Sequence, residues 1–262
     1  MSQIRDINEV GEFLASYAAH MMGSGVHTSR IVRCTKRIGS SLGYKVRMNV
    51  FQKSLVIYVV NLENIDDHFT RVIDIPSQPI SFEHNSELSA LSWKAYDEHL
   101  SLDEIKNEYQ TIVSTYSVKP TAILFLASIA NAAFCAIFGG DKWAILIVFI
   151  ATLVGFFIRQ KLMALKMNHY LVFIICAFVA SLIASSAMNF STTKDTAVAT
   201  SVLFLIPGVP LINGVIDLLE GYGLSGMSRL IQAFLLIFCL ALGMSFTLII
   251  FKTAYYDTGS FS

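Results

Sequence analysis

The chain has 262 residues, 54% of them hydrophobic, with 19 acidic and 19 basic side chains. That is too apolar for an ordinary soluble domain, and a net charge of +0 lacks the basic excess of a nucleic-acid binder. Residues 1–118 hold 25 of the 38 charged side chains, and residues 119–262 hold the other 13, so a water-facing part precedes a lipid-facing one.

The opening stretch, MSQIRDINEVGEF, has no apolar core followed by a cleavage site, so it reads as no secretory signal. Ile7, Val10, Leu14, Tyr17 and Met21 then recur at helical spacing, until Gly23 and Gly25 break the chain. A second helix, HTSRIVRCTKRIGSSLG, is expected to end near Gly43. YKVRMNVFQ and SLVIYVVN read as strands joined through Lys53, with TRVIDI a third before Pro76 and Pro79. Helical stretches over about 84–99 and 101–117 lead to Lys119-Pro120. The expectation for residues 1–118 is a cytoplasmic α+β domain.

Arg30, Arg33 and Arg37 share one face of the second helix, with Lys36 beside it. They suit an anion site or a contact with anionic headgroups or, more simply, a solvated face paired with nearby acids. His20 and His27 are separated by the glycine break and read as ordinary histidines. Cys34, Cys135, Cys176 and Cys239 lie far apart, in neither a disulfide nor a zinc spacing, and read as small buried hydrophobes. No nucleophile triad, phosphate-cradling loop or paired acids emerge, so no enzyme, cofactor or metal is expected.

Five apolar runs follow, at about 120–138, 143–158, 170–190, 197–219 and 230–251, making residues 119–262 an all-α transmembrane domain of five helices. A bilayer core of about 30 Å takes roughly 17–25 helical residues. The loop RQKLMALKMNH carries Arg159, Lys161 and Lys166 without an acid, whereas GGDK and STTKDT are balanced. By the positive-inside rule that basic loop is cytoplasmic. The N-terminal domain and the EGYGLSGMSR loop then share its side, and the C-terminus lies outside.

The fourth run, AVATSVLFLIPGVPLINGVIDLLEGYG, is interrupted by Pro207, Gly208 and Pro210. Each proline removes a donor, so the carbonyls of Leu203 and Ile206 lose their usual partners. Broken helices at membrane depth tend to line cavities. A half-helix starting near Pro210 would turn its positive end toward the midplane, a geometry that transporters use for substrate carboxylates. Asn213 and Asp217 then share a face at i,i+4, with Glu220 a turn further. Asp217 could bind a substrate ammonium or carry a coupling proton, or simply sit at the interface. Arg229 could pair with Glu220 or Asp217. Asn131, Ser181, Ser185 and Ser186 are weaker substrate-path candidates, since small residues more often mark helix packing.

The run LFLIPGVPLINGVIDLLEGYGLSGMSRL resembles the signature of the threonine/serine exporter family, and SGVHTSRIVRCTKRIGSSLGY resembles its N-terminal module. The order of parts fits over most of the chain. The resemblance implies an inner-membrane exporter of L-threonine and L-serine driven by the proton-motive force, with Pro207, Gly208, Pro210, Asn213, Asp217 and Glu220 as the region to probe. Full-length members of that family carry a second hydrophobic half. The chain is therefore similar to one subunit of a split exporter, such as the larger subunit of the two-component succinate exporter. A second small membrane subunit, or a homo-oligomer, is the implied partner beside the lipid bilayer.

Export of small amino acids is the first reading and C4-dicarboxylate export the second. The expected spans hold no interior Lys or Arg, which favours a zwitterion over a dianion. A membrane-tethered enzyme and a regulatory or scaffold subunit are the readings from other classes.

Overall fold

The computed structural model describes residues 6–115, 118–186 and 191–259, with side chains as far as Phe251. It is mostly helical, with a small three-stranded sheet near the N-terminus. The residues sort into two compact units. One holds residues up to 117 together with Gly208–Ile231, and the other holds Val118–Pro207 and the rest from Gln232.

In the first unit, helix α1 (Ile7–Gly23) starts where the Asp6 carboxylate accepts from the Asn8 amide. Helix α2 (Thr28–Ser41) follows the turn at Gly25, whose φ of 90° suits glycine. Strands β1 (Tyr44–Val50), β2 (Ser54–Asn61) and β3 (His68–Asp74) form an antiparallel meander. Val46 lies opposite Val59, and Ile57 opposite Arg71. The third strand thus begins two residues before the expected TRVIDI run. Alternation puts Tyr44, Val46, Val50, Leu55, Ile57 and Val59 inward, against Leu14, Tyr17, Ile31 and Ile38 of the helices. At Gly11 the Phe69 ring comes so close that no Cβ fits. Helix α3 (Phe82–Asp97) is capped by Ser81, and α4 (Leu102–Ser114) by a reciprocal Ser101–Glu104 box.

The basic face of α2 is not simply solvated. The Arg37 guanidinium stacks 3.4 Å from the Trp93 ring centre and donates to Ser92 Oγ. Arg30 Nε reaches Ser89 Oγ at 3.4 Å, so two of the three arginines pack on α3.

The second unit contains α5 (Pro120–Ile137), α6 (Lys142–Ala164), α7 (His169–Ser185), α8 (Lys194–Thr200), a 3-10 turn (Leu203–Leu205) and most of α10 (Gly223–Gly259). Among the described residues three helices, α5, α6 and α10, are long and apolar enough to cross a membrane. A fourth span is reached if α8 and its turn are joined across the break to α9 (Gly208–Leu219). Helix α7 is apolar but 17 residues long, and the end of the expected 170–190 run lies outside the described residues. The chain is thus a membrane protein, with three to four candidate spans by length among the described residues rather than a demonstrated five.

Two boundaries differ from expectation. Helix α6 does not stop at residue 158 but continues through Arg159 and Lys161 to Ala164. Helix α10 begins at Gly223, so most of the EGYGLSGMSR stretch is helical. Neither segment contains a proline to stop the helix, and charged residues join helices readily at a span's end.

Close packing in the second unit rests on small residues. A Cβ on Gly243 would meet the Ile174 carbonyl at 2.4 Å, so α10 and α7 touch backbone to backbone there. Asp141 caps α6 by accepting from the Ala144 amide at 2.8 Å, and also holds the Thr192 amide and hydroxyl. The Ala144 bond first, and those from Thr192 and Ser191 after it, depress its pKa to about 2.

Candidate functional site

The break in the fourth apolar run comes where its sequence demands one. The helix ends at Thr200, the 3-10 turn Leu203–Leu205 follows, and α9 opens at Gly208, two residues before the expected start. Pro210 then sits in the first turn of α9, where an amide would have no helical partner anyway. The Leu203 carbonyl does not go unpaired. It accepts from the Ile206 amide at 3.1 Å, a 3-10 bond replacing the one Pro207 removes. The boundary between the two compact units falls at the same place, with Pro207 in one and Gly208 in the other.

Within the first unit, α9 buries Asn213, Gly214 and Asp217 and exposes Ile212, Val215 and Leu219. The expected i,i+4 face is therefore the buried one. Its partner is the α1–α2 junction. Asn213 Nδ2 donates to the Gly25 carbonyl at 2.7 Å. Asp217, fully buried, accepts from the Thr28 amide at 2.7 Å through Oδ1 and from the Thr28 hydroxyl at 2.8 Å through Oδ2.

Thr28 is the first residue of α2, and its amide has no acceptor inside that helix. The preceding residue, His27, offers no side-chain cap, and the first turn of α2 contains no acid. Asp217 supplies both missing elements from 189 residues away, an acceptor and a negative charge at the helix's positive end.

Arg229, on the first turns of α10, completes the cluster. Its Nε lies 3.1 Å from Asp217 Oδ2, off the N–H line, so this contact is ionic rather than a directed hydrogen bond. Its Nη2 donates to the Val26 carbonyl at 3.0 Å and meets Met22 Sδ at 2.9 Å. Helices α9 and α10 approach closely enough for this because Gly214 and Gly226 face each other. A Cβ on Gly226 would stand 2.8 Å from the Gly214 carbonyl. Further along, Ser225 Oγ donates to the Val50 carbonyl at 2.6 Å, and Ser228 Oγ to Gln52 Oε1 at 2.7 Å. Glu220 is half exposed and lies 3.7 Å from Arg33. His27 sits beside this cluster with its pKa lowered, burial being the main cause, partly offset by Glu220 and Asp217.

The predicted residues thus divide. Asn213, Asp217 and Arg229 converge on one polar cluster, with Glu220 at its rim. Pro207, Gly208 and Pro210 shape the break, and a Cβ on Gly208 would meet nothing within 4 Å. Arg229 pairs with Asp217, not with Glu220. The weaker candidates belong to the second unit. Asn131 Nδ2 donates to Thr152 Oγ1 at 2.6 Å and to the Thr200 carbonyl at 3.1 Å, so it satisfies a carbonyl exposed where α8 ends. Ser181 bonds the Ala177 carbonyl and Thr247, and Ser185 and Ser186 bond carbonyls of their own helix. Sequence reasoning missed Thr28, Gly25, Val26 and Met22. The one signal was a threonine at the start of a helix that lacked its own acidic cap.

Comparison with known proteins bears on this arrangement. Residues 12–251 match the family model described as "Putative threonine/serine exporter". The "Probable succinate transporter subunit YjjP" of Klebsiella aerogenes is 28% identical over 238 residues, covering 87% of this chain and 88% of that protein. The protein of the same name from Escherichia coli K12 is 32% identical over 131 residues, covering 49% of this chain and 51% of its own. No solved structure matches the chain.

Proposed function

The chain belongs to the threonine/serine exporter family, and on that footing we propose that it is a membrane-embedded subunit of an exporter of small carboxylate-bearing metabolites. The observation that carries this is the broken fourth apolar segment, whose second half, α9, is tied by Asn213 and Asp217 to the N-terminal module. A helix interrupted by prolines at membrane depth suits a polar path. A buried polar tie lets the state of the module bias the position of α9.

Two cargo classes are supported by different facts. L-Threonine and L-serine follow from the family description. A C4-dicarboxylate such as succinate is favoured by the name of a relative aligned over nearly its whole length. The preference for a zwitterion rested on spans without a cation, and the extension of α6 through Arg159 removes that support. Succinate is therefore the leading cargo. The name of that relative also supports a second subunit as partner. The family and the apolar helices support an inner-membrane location, Lys161 and Lys166 about the end of α6 support a cytoplasmic N-terminal module, and the proton-motive force is the proposed drive.

The test is efflux from cells expressing this chain, alone and with a candidate partner. Cells driven to accumulate succinate, or loaded with a threonine- or serine-containing dipeptide, are followed by assaying the medium. Faster succinate efflux that is lost in Asn213→Ala, at equal membrane protein, is the expected result. Threonine or serine efflux alone reverses the order of the two cargoes. Unchanged efflux of all three with a verified partner removes the exporter reading and leaves the scaffold and enzyme readings.

A further inference from the structure

Helix α6 carries a cation that the cluster around Asp217 does not use. Counted from Trp143, Arg159 lies about 24 Å along the helix axis at 1.5 Å per residue, still within a hydrocarbon core of about 30 Å. Its side chain is half-buried, with the guanidinium carbon 5.6 Å from the Phe156 ring centre and 5.7 Å from that of Phe173 on α7. Among the described residues it has neither an ion pair nor a hydrogen bond.

The reason lies in where the acids are. The acids of this unit whose side chains are described are Asp141, which caps the opposite end of α6, and Asp195, in the first turn of α8 beside the loop that Asp141 holds. Among the described side chains of the unit, neither carboxylate pairs with the guanidinium. A cation carried on an apolar, membrane-length helix without a partner is a functional-site candidate.

The neighbourhood also links Arg159 to the break. One turn earlier, Gly155 leaves room for Phe204 of the 3-10 turn, and a Cβ there would meet that ring at 2.9 Å. The Phe204 and Phe156 rings lie 6.0 Å apart. The guanidinium therefore stands one helical turn from the segment that interrupts the fourth apolar run.

We propose that Arg159 is the cargo-binding cation of this subunit, a planar guanidinium between Phe156 and Phe173 that takes one carboxylate of the exported molecule. This deepens the exporter reading and rests on it. A guanidinium matches a carboxylate with two parallel N–H donors, a geometry that an ammonium cannot reproduce. Flanking aromatic faces hold the cation in place by cation–π attraction without neutralising it. A lipid phosphate could supply the same anion chemistry, so the test separates the two sources.

The full chain is purified into nanodiscs of neutral phosphatidylcholine, or of phosphatidylcholine with phosphatidylglycerol. Binding of succinate and of threonine is measured by calorimetry for wild type, Arg159→Gln, Arg159→Lys and Lys161→Gln. The expected result is affinity reduced about tenfold or more in Arg159→Gln, by loss of a charge-assisted bond. It should be partly restored in Arg159→Lys, untouched in Lys161→Gln, and the same in both lipids. Equal affinity in Arg159→Gln overturns the proposal, as does a difference confined to the anionic lipid, which assigns Arg159 to headgroups. Should Arg159→Gln not fold, Arg159→Lys alone decides, through weakened binding at unchanged melting temperature. Wild type that binds neither probe, while cells with the partner export, overturns the Arg159 site and leaves the exporter reading standing. No binding and no export removes both.

Discussion

The Asp217–Thr28–Arg229 cluster allows a quantitative test through Asp217→Ala. The substitution removes the acceptor of the Thr28 amide and leaves Arg229, 9% exposed, without its carboxylate partner. Breaking a buried pair by deleting one partner costs about 3–5 kcal/mol. At about 1.4 kcal/mol per decade, the α1–α2 junction should separate from α9 roughly 150- to 4000-fold more often. Hydrogen exchange at the Thr28 amide reads this directly, because an amide at the start of a helix has no protection from the helix itself. Wild type should protect Thr28, and Asp217→Ala should expose it while Ile38, deep in the same helix, stays slow. The double variant Asp217→Ala/Arg229→Ala should lose less than the sum of the singles, since no charge is then stranded. Unchanged protection of Thr28 in Asp217→Ala, or strictly additive losses, would refute the reasoning.

Three further outcomes follow from single contacts. Gly226→Val drives a side chain into the Gly214 carbonyl, and melting in detergent should show a loss of about 1–3 kcal/mol, typical of overpacking. Asn131→Leu strips a donor from the Thr200 carbonyl and from Thr152, and the same melt should lose about 1–3 kcal/mol for each buried group left unmatched. His20, beside His84 and edge-on to Tyr109, has its pKa lowered, by burial first and by His84 second. Its folded value lies below its unfolded one, so as pH falls through about 6.5 the unfolded chain takes up the proton first. Stability present at pH 7.5 should therefore decline toward pH 5.5 in melts, and His20→Gln should flatten that slope.

The legible parts of this molecule were those governed by local rules. Helical spacing from Ile7 to Met21, strand alternation in SLVIYVVN and the proline break at 207–210 each follow from a few neighbouring residues. The pairing of Asn213 with Asp217 on one face was likewise legible, because i,i+4 neighbours share a helix face. What that face meets was not. Gly25 and Thr28 lie about 190 residues away in sequence, and backbone acceptors such as the Gly25 carbonyl leave no compositional trace. The end of α6 escaped for another reason. A charged residue ends an apolar run without ending a helix, so Arg159 read as a loop residue when only the hydropathy had changed.

The same cluster bears on how a proton could be coupled to export. The Asp217 carboxylate accepts two bonds from Thr28 and lies against Arg229. If Asp217 takes up the coupling proton, it gives up its charge contact with Arg229 and at least one of the two bonds, so loading the proton and loosening α9 from the module become one event. Asp217→Asn imitates the neutral state at nearly the same size, keeping one oxygen acceptor but not the charge. In vesicles containing the complete exporter, this variant should carry cargo down its own gradient yet gain nothing from an imposed proton gradient. Proton-stimulated transport that survives in Asp217→Asn places the coupling acid elsewhere and leaves Asp217 as a structural tie. Loss of downhill transport as well means that the closed contact, not the proton, is what transport needs. Hydrogen exchange at Thr28 separates these cases, since only a loosened junction exposes that amide.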